Sequence, residues 1–298
     1  ILGAISDCKQ EAWTPEMIED FARSEIERIK QDPKEISTRG QSKGSLKAES
    51  LGKIEKCERT IIFTEVYEAY EARKKDEYKI DFDDLIFELL WAIGRDELLL
   101  RSLQEKFLYI LLDEHQDTND TQNLIVRRLS DFFDTPNLFV VGDEKQAIYR
   151  FQGASIENFI GFQKTWGQMK IISLIDNYRS HQHILDATFE MIEKNYEENE
   201  HKSLRVKLKS STSVEAVPLD VALAINPETE ENYLAERLSN ILKKEKDSTV
   251  AIIVRRNSEV ARILSLLEEA GIPAVPHNAL AALWVVGEND RGEDDRNR

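Results

Sequence analysis

Two short stretches carry the residues best suited to chemistry. In 107–117, FLYILLDEHQD, an apolar run ends in two carboxylates, Asp113 and Glu114. In 137–154, NLFVVGDEKQAIYRFQGA, a second apolar run ends in Gly142 and Asp143 and continues through Gln146, Tyr149, Arg150 and Phe151. Buried strands of a parallel sheet read as near-continuous apolar runs, and their ligands collect at the carboxyl ends. Acidic groups there would repel a bare phosphate, so they suit a metal ion carrying a nucleotide. One carboxylate can hold Mg2+, directly or through water, while its neighbour orients and deprotonates an attacking water. For an isolated acidic pair a plain strand-to-helix turn is the favoured account. Gly142 narrows the choice by allowing close backbone approach, and the Gln146 amide can donate to a phosphate oxygen and accept from water.

Beside that amide, Tyr149, Arg150 and Phe151 interleave aromatic rings with a cation, a composition on which single-stranded nucleic acid stacks. Core packing is the other account of Tyr149. A third apolar run, 170–175, leads into Asp176-Asn177-Tyr178-Arg179-Ser180. Arg179 there could cross a cleft to a phosphate and Tyr178 could stack on a base; an N-cap turn with a surface arginine fits as well.

These residues need a scaffold, and the pattern around them supplies one. Strands are predicted over 107–112 and 138–141, with a helix between them that starts in Asp117-Thr-Asn-Asp-Thr and runs through Leu124, Ile125, Arg128 and Leu129. Strand–helix–strand is the mark of a parallel α/β sheet. A short helix over 156–166, a third strand over 170–175 and a helix from His181 follow. Residues 195–213 read as a polar excursion. A second α/β unit comprises a strand over 217–225, a helix over 230–242, a strand over 249–254 and a helix capped by Asn257 or Ser258 and ended by Gly271. The tail after Leu283 shows no pattern.

Before the first strand the chain reads as helical. Thr14 caps and Pro15 starts a helix whose inward stripe is Ile18, Phe21, Ala22, Ile26 and Ile29, with Pro33 closing it. Residues 39–53, polar and locally basic, read as a solvated loop or, alternatively, a contact for nucleic-acid backbone. Helices follow over 61–75 and from 81 to 91. Asp83 and Asp84 invite a metal reading, but acids in a first helical turn serve the cap and the macrodipole, which is the preferred account.

The 298 residues, 41% hydrophobic and 32% charged, describe a globular chain large enough for two domains. No apolar run approaches the length of a membrane span. Cys8 and Cys57 lack metal-ligand spacing and fit a reducing cytoplasm. Ile1 in place of Met reads as a piece of a longer chain or a processed one. The net charge of −16 argues against gripping nucleic acid by bulk electrostatics, though not against stacking a single strand in a narrow groove.

Taken in order and spacing, LLDEHQDTNDTQ, VVGDEKQAIYRFQGA and LIDNYRS resemble motifs II, III and IV of the UvrD/Rep/RecB group of superfamily 1 DNA helicases. IDFDDLI and VAIIVRRNSEVARILSLLEEAGIP look like that family's connecting segments, so the resemblance runs from about Lys56 to about Pro276. It implies an α/β fold of two partial RecA-like P-loop NTPase domains with parallel sheets and a helical insertion. The expected divisions are 1–77 for the insertion, 78–169 for the carboxyl-terminal half of the first RecA-like domain and 170–298 for the opening of the second. By the same resemblance Asp113 binds Mg2+, Glu114 activates water, and Gln146, with Asp143 in its motif, senses the terminal phosphate of ATP. Arg179 contacts that phosphate, Tyr178 stacks on adenine, and Tyr149, Arg150 and Phe151 face DNA.

The implied partners are single-stranded DNA and single-strand/duplex junctions, together with repair or recombination proteins, in the cytoplasm. No G-x-x-x-x-G-K-[ST] loop occurs in the chain; the family places that loop before this segment and its later motifs after it. His115 stands where the family often has an aromatic or apolar residue, and Gln152 where it often has Arg. The chain alone is therefore expected not to hydrolyse ATP efficiently. A RecB/AddA-type helicase–nuclease, and a silent nucleic-acid-binding module of the same fold, remain open as alternatives at this point.

Overall fold

The short helix α1 (Leu2–Gln10) precedes α2 (Pro15–Gln31), which begins where its sequence requires: Thr14 accepts a hydrogen bond from Met17 N–H at 3.2 Å and Pro15 takes the first helical position. In this computed structural model, residues 1–37, 44–132, 135–146, 170–194, 206–244, 249–277 and 282–286 are described. The chain falls into two compact units, one of 1–180 with 185–212 and the other of 181–184 with 213–298.

In the first unit, α2 packs along α3 (Ala48–Asp76), and two apolar clusters hold the helices together. Ile26, Ile29 and Ile54 form one; Ile5, Ile18 and Tyr67 form the other, with Trp13, Phe63 and Tyr70 at its margin. Phe21, expected inward, is 61% exposed and packs its ring edge-on against Trp13 instead. The long helix also takes in part of the expected loop. Ser50 is buried and donates to the Glu35 carboxylate at 2.6 Å, and Ile54 enters the core one turn later. Two buried contacts one turn apart are enough to hold a polar stretch helical, and apolar periodicity could not reveal them. Of the basic residues there, Lys53 pairs with Glu35 and Glu49, and Lys47 donates to the Lys34 carbonyl.

Asp81 then caps α4 (Phe82–Arg95) in a reciprocal capping box with Asp84, as the acids of that turn led one to expect. The helix α5 (Glu97–Lys106), which sequence reading did not anticipate, runs up to Phe107 and so trims the first strand. That strand, β1 (Ile110–Leu112), pairs in parallel with β2 (Leu138–Val140), Ile110 opposite Leu138 and Leu112 opposite Val140. Between them α6 (Asp120–Ser130) makes the crossover, its cap Asn119 boxed with Gln122. This parallel strand–helix–strand unit is what the apolar runs called for.

The expected strand over 170–175 is not formed. Only β3 (Asp176–Asn177) is strand, parallel to β4 (Lys209–Ser210), while Ile171, Ile172, Leu174 and Ile175 are exposed. A strand needs a ladder partner as well as apolar residues, and of 170–175 only Ile175 has one among the described residues, its carbonyl accepting from Lys209 N–H at 2.9 Å where β3 begins. The same reason accounts for 217–225, which alternates like a strand yet leaves Leu223 and Ile225 more than nine-tenths exposed. The helix expected over 156–166 lies outside the described residues. The helix expected from His181 is α7 (Gln182–Glu193).

The second unit contains α8 (Pro227–Lys244), β5 (Thr249–Ile253), α9 (Asn257–Glu269), β6 (Ala274–His277) and β7 (Ala282–Val286). Gly271 ends α9 at φ +69°, a conformation glycine adopts freely. The tail expected to be patternless instead supplies the middle strand: β7 lies between β5 and β6 and is antiparallel to both. Val285 is fully buried there with Leu238, Ile252, Ile263, Leu267 and Ile272. Strands β5 and β6 therefore run parallel to each other across α9, with β7 inserted between them. Overall the fold is mixed α/β with parallel pairing at the candidate site, consistent with RecA-like helicase domains.

Candidate active site

The end of β1 turns sharply. Asp113 follows the strand, Glu114 sits in the left-handed region at φ 49°, ψ 43°, and His115–Asp117 form a single 3-10 turn leading to Asn119. A left-handed conformation costs a residue with a Cβ about 1–2 kcal/mol, and such strain collects at functional turns. Asp113 Oδ1 accepts from the Glu114 backbone N–H at 3.0 Å, and both side chains are exposed at the carboxyl end of the sheet.

The end of β2 reaches the same place. The ladder continues past the strands, with Val141 N–H donating to the Leu112 carbonyl at 2.8 Å and His115 N–H to the Val141 carbonyl at 3.0 Å. Asp143 then organises its turn: its carboxylate accepts from Lys145 N–H at 3.0 Å and from the Gln146 side-chain amide at 2.9 Å. Lys145 is held in turn, its ammonium donating to the Val206 carbonyl and lying 4.7 Å from the centre of the Phe189 ring.

One side chain joins the two strand ends, and sequence reading did not single it out. Gln116, 2% exposed, donates from Nε2 to Glu114 Oε2 at 2.5 Å and accepts at Oε1 from the Asp143 N–H at 3.0 Å. Its signal was only that a polar residue follows the acidic pair, and composition does not reveal burial. His115, at the position where the resemblance led one to expect an aromatic, is also buried, with Nε2 2.9 Å from Asn123 Oδ1. Burial lowers the imidazole pKa, with the Asn123 contact opposing.

Asp113, Glu114, Asp143 and Gln146 are thus gathered into one site. Tyr178 and Arg179 form a separate exposed turn, in which Asn177 Oδ1 accepts from Arg179 N–H at 3.1 Å and Ser180 N–H at 2.8 Å. Among the described residues no ion pair engages Arg179. Tyr149, Arg150 and Phe151 lie outside the described residues, as does Gln152.

Mg2+ binds through one or two carboxylates while keeping waters and phosphate oxygens as its other ligands. Asp113, exposed and bonded on one oxygen only to its neighbour's N–H, fits that role. A second acidic group does not. Glu71, Asp81 and Asp84 bring carboxylate oxygens within 4.8 Å of one another, but two ammonium groups already fill the space. Lys9 Nζ lies 2.5 Å from Asp84, 2.7 Å from Asp81 and 2.9 Å from Glu71; Lys74 Nζ lies 2.7, 2.8 and 3.0 Å from the same three.

Burial alone would raise the pKa values of Asp81 and Asp84, yet hydrogen bonds from Lys74 and Lys9 hold both carboxyls below the usual range. Burial likewise pulls the Lys74 ammonium down, and its bonds to Asp81 and Asp84 outweigh that and raise it. This cluster is a structural cage.

Comparison with known proteins agrees with this geometry. Residues 4–167 match the UvrD/REP helicase N-terminal domain and residues 172–279 the UvrD-like helicase C-terminal domain. The chain is 34% identical over 213 residues to ATP-dependent DNA helicase PcrA of Bacillus subtilis, covering 71% of this chain and 28% of that protein. It is 36% identical over 214 residues to PcrA of Leuconostoc citreum, covering 70% and 27%, and 35% identical over 199 residues to PcrA of Staphylococcus aureus, covering 67% and 26%. The chain thus spans little more than a quarter of the length of these relatives. Among the described residues no helix is long and apolar enough to cross a membrane. With both consecutive domains matched and the acid pair joined to the Gly142–Gln146 turn, the chain belongs to the UvrD/REP family of DNA helicases.

Proposed function

We propose that this chain is the motif-bearing part of an ATP-dependent DNA helicase that couples ATP hydrolysis to movement along single-stranded DNA and to duplex unwinding. The observation that carries the reading is the union of the two strand ends: β1 delivers Asp113 and Glu114, β2 delivers Asp143 and Gln146, and backbone and side-chain bonds hold them as one surface. Asp113 would hold Mg2+, which would supply neutralisation of the phosphate charge. Glu114 accepts the proton of the attacking water at its carboxylate. Gln146, released from Asp143, turns its amide towards the terminal phosphate, so the Asp143 turn reports whether that phosphate is present.

Arg179 stabilises the developing charge and Tyr178 stacks on the adenine, both exposed and therefore available to a ligand. Tyr149, Arg150 and Phe151 stack and steady the single strand. Residues 1–77 serve as the insertion, 78–169 as the end of the first RecA-like domain and 170–298 as the start of the second. The setting is cytoplasmic, on single-strand/duplex junctions and alongside repair or recombination proteins. A triphosphate cradle of the G-x-x-x-x-G-K-[ST] type is not encoded in these 298 residues. The complete gene product should therefore hydrolyse ATP with stimulation by single-stranded DNA and unwind a tailed duplex, while the 298-residue chain alone does neither. A complete gene product that binds DNA without turning over ATP contradicts the proposal and favours a silent binding module.

A further inference from the structure

We propose that Gln116 is a positioning residue for hydrolysis, holding the Glu114 carboxylate in place and tying it to the Asp143 turn that leads to Gln146. The inference rests on the helicase reading above and adds a residue to it. Gln116 is almost fully buried, and both ends of its amide are used across the two strand ends: Nε2 donates to Glu114 Oε2 at 2.5 Å and Oε1 accepts from Asp143 N–H at 3.0 Å. The orientation of the amide is fixed by chemistry, since an ionised carboxylate can only accept and a backbone N–H can only donate.

Glu114 is otherwise an exposed side chain on a strained left-handed backbone, and among the described residues no other side chain bonds its carboxylate. A general base must keep its oxygen within hydrogen-bond reach of one water, and a tether from a buried neighbour supplies that constraint. The same tether has a second consequence. Asp143 lies 27 residues from Gln116 in sequence, and its carboxylate holds the Gln146 amide at 2.9 Å. Movement of that turn when Gln146 changes partner therefore reaches Glu114 through a single amide. The base and the phosphate-sensing turn are mechanically one piece.

Steady-state ATP turnover of the complete gene product, at saturating single-stranded DNA, tests this with three variants. Gln116→Leu removes both bonds and is expected to lower kcat about 10- to 100-fold, the scale of a small misplacement of a catalytic group, with KM for ATP within about 2-fold. Gln116→Glu is nearly isosteric and keeps the acceptor for Asp143 N–H, but sets a second carboxylate against Glu114. The donor to Glu114 is thereby lost and replaced by a like charge, so kcat should fall at least as far as in Gln116→Leu, with KM for ATP again within about 2-fold.

In the double variant Glu114→Gln/Gln116→Leu the loss should be no greater than in Glu114→Gln alone, because Gln116 acts through Glu114. A merely structural role gives additive losses in the double variant. If Gln116→Leu fails to fold, Gln116→Glu decides. A wild-type kcat in Gln116→Glu, or fully additive losses in the double variant, overturns the inference and leaves the helicase reading standing. Absence of wild-type turnover overturns the helicase reading and the inference together.

Discussion

Two acidic clusters lie in the first unit, and their surroundings differ in kind. At the foot of α4, Glu71, Asp81 and Asp84 face two lysine ammoniums, Lys9 being 1% exposed in its side chain and Lys74 11%, with the Tyr70 ring 4.8 Å from Lys74 Nζ. At the end of β1, Asp113 and Glu114 are exposed, and the groups bonded to them are amides: the Glu114 N–H and the Gln116 side chain. Carboxylates satisfied by buried ammoniums have spent their charge on the fold and have none left for a cation. Carboxylates held by neutral donors keep their full charge and their open side. Proximity of acids alone would point to the cage; the charge of the neighbours favours Asp113 and Glu114 as the pair open to a cation.

The comparison is easiest to break at the cage. Replacing Lys9 with Met removes one ammonium and leaves buried carboxylates short of a partner, a change that typically costs about 3–5 kcal/mol. Urea unfolding of Lys9→Met should show a loss of that order, and a midpoint matching wild type would mean that the ion pairs carry no weight. A smaller and graded effect is expected from acid. The folded-state pKa values of Asp81 and Asp84 lie below their unfolded values, through hydrogen bonds from Lys74 and Lys9 that outweigh burial.

The stability linked to them is thus complete above the unfolded Asp value of about 3.9 and is lost as pH falls through the lower folded values. Lys74 has the opposite sign: its folded pKa is raised, so its contribution is complete below the unfolded Lys value of about 10.4 and is lost above it. Chemical denaturation across pH should show a plateau between those limits. In Lys9→Met the folded-state values rise towards the unfolded one, so the stability lost below about pH 3.9 should be smaller than in wild type, and an unchanged loss would remove Lys9 from the account.

Legibility in the sequence followed the range of the forces. Thr14, Asp81 and Asn119 announce helix starts because a cap is a local contact, and all three occupy cap positions. The parallel pairing of β1 with β2 was legible because both strands carry continuous apolar runs around one crossover helix. The motif residues were found through their spacing, and four of them converge: Asp113, Glu114, Asp143 and Gln146. What could not be read was set by distant partners. Lys9 meets Asp84 across 75 residues of sequence, and nothing near Lys9 hints at it. Gln116 looks like any polar turn residue until Asp143 arrives beside it. Strand β7 was hidden because its five residues acquire a role only between β5 and β6. Conversely, 170–174 and 217–225 have the composition of strands but no described backbone partner to pair with.

The claim on which all of this turns is that Glu114, and not the buried cage, does the chemistry. Its most direct test is ATP turnover by the complete gene product carrying Glu114→Gln, at saturating single-stranded DNA, with the thermal unfolding midpoint measured alongside. Loss of a general base predicts a fall in kcat of about 10²- to 10⁴-fold with the midpoint unchanged. Turnover close to that of wild type, in a variant that folds normally, would contradict the account.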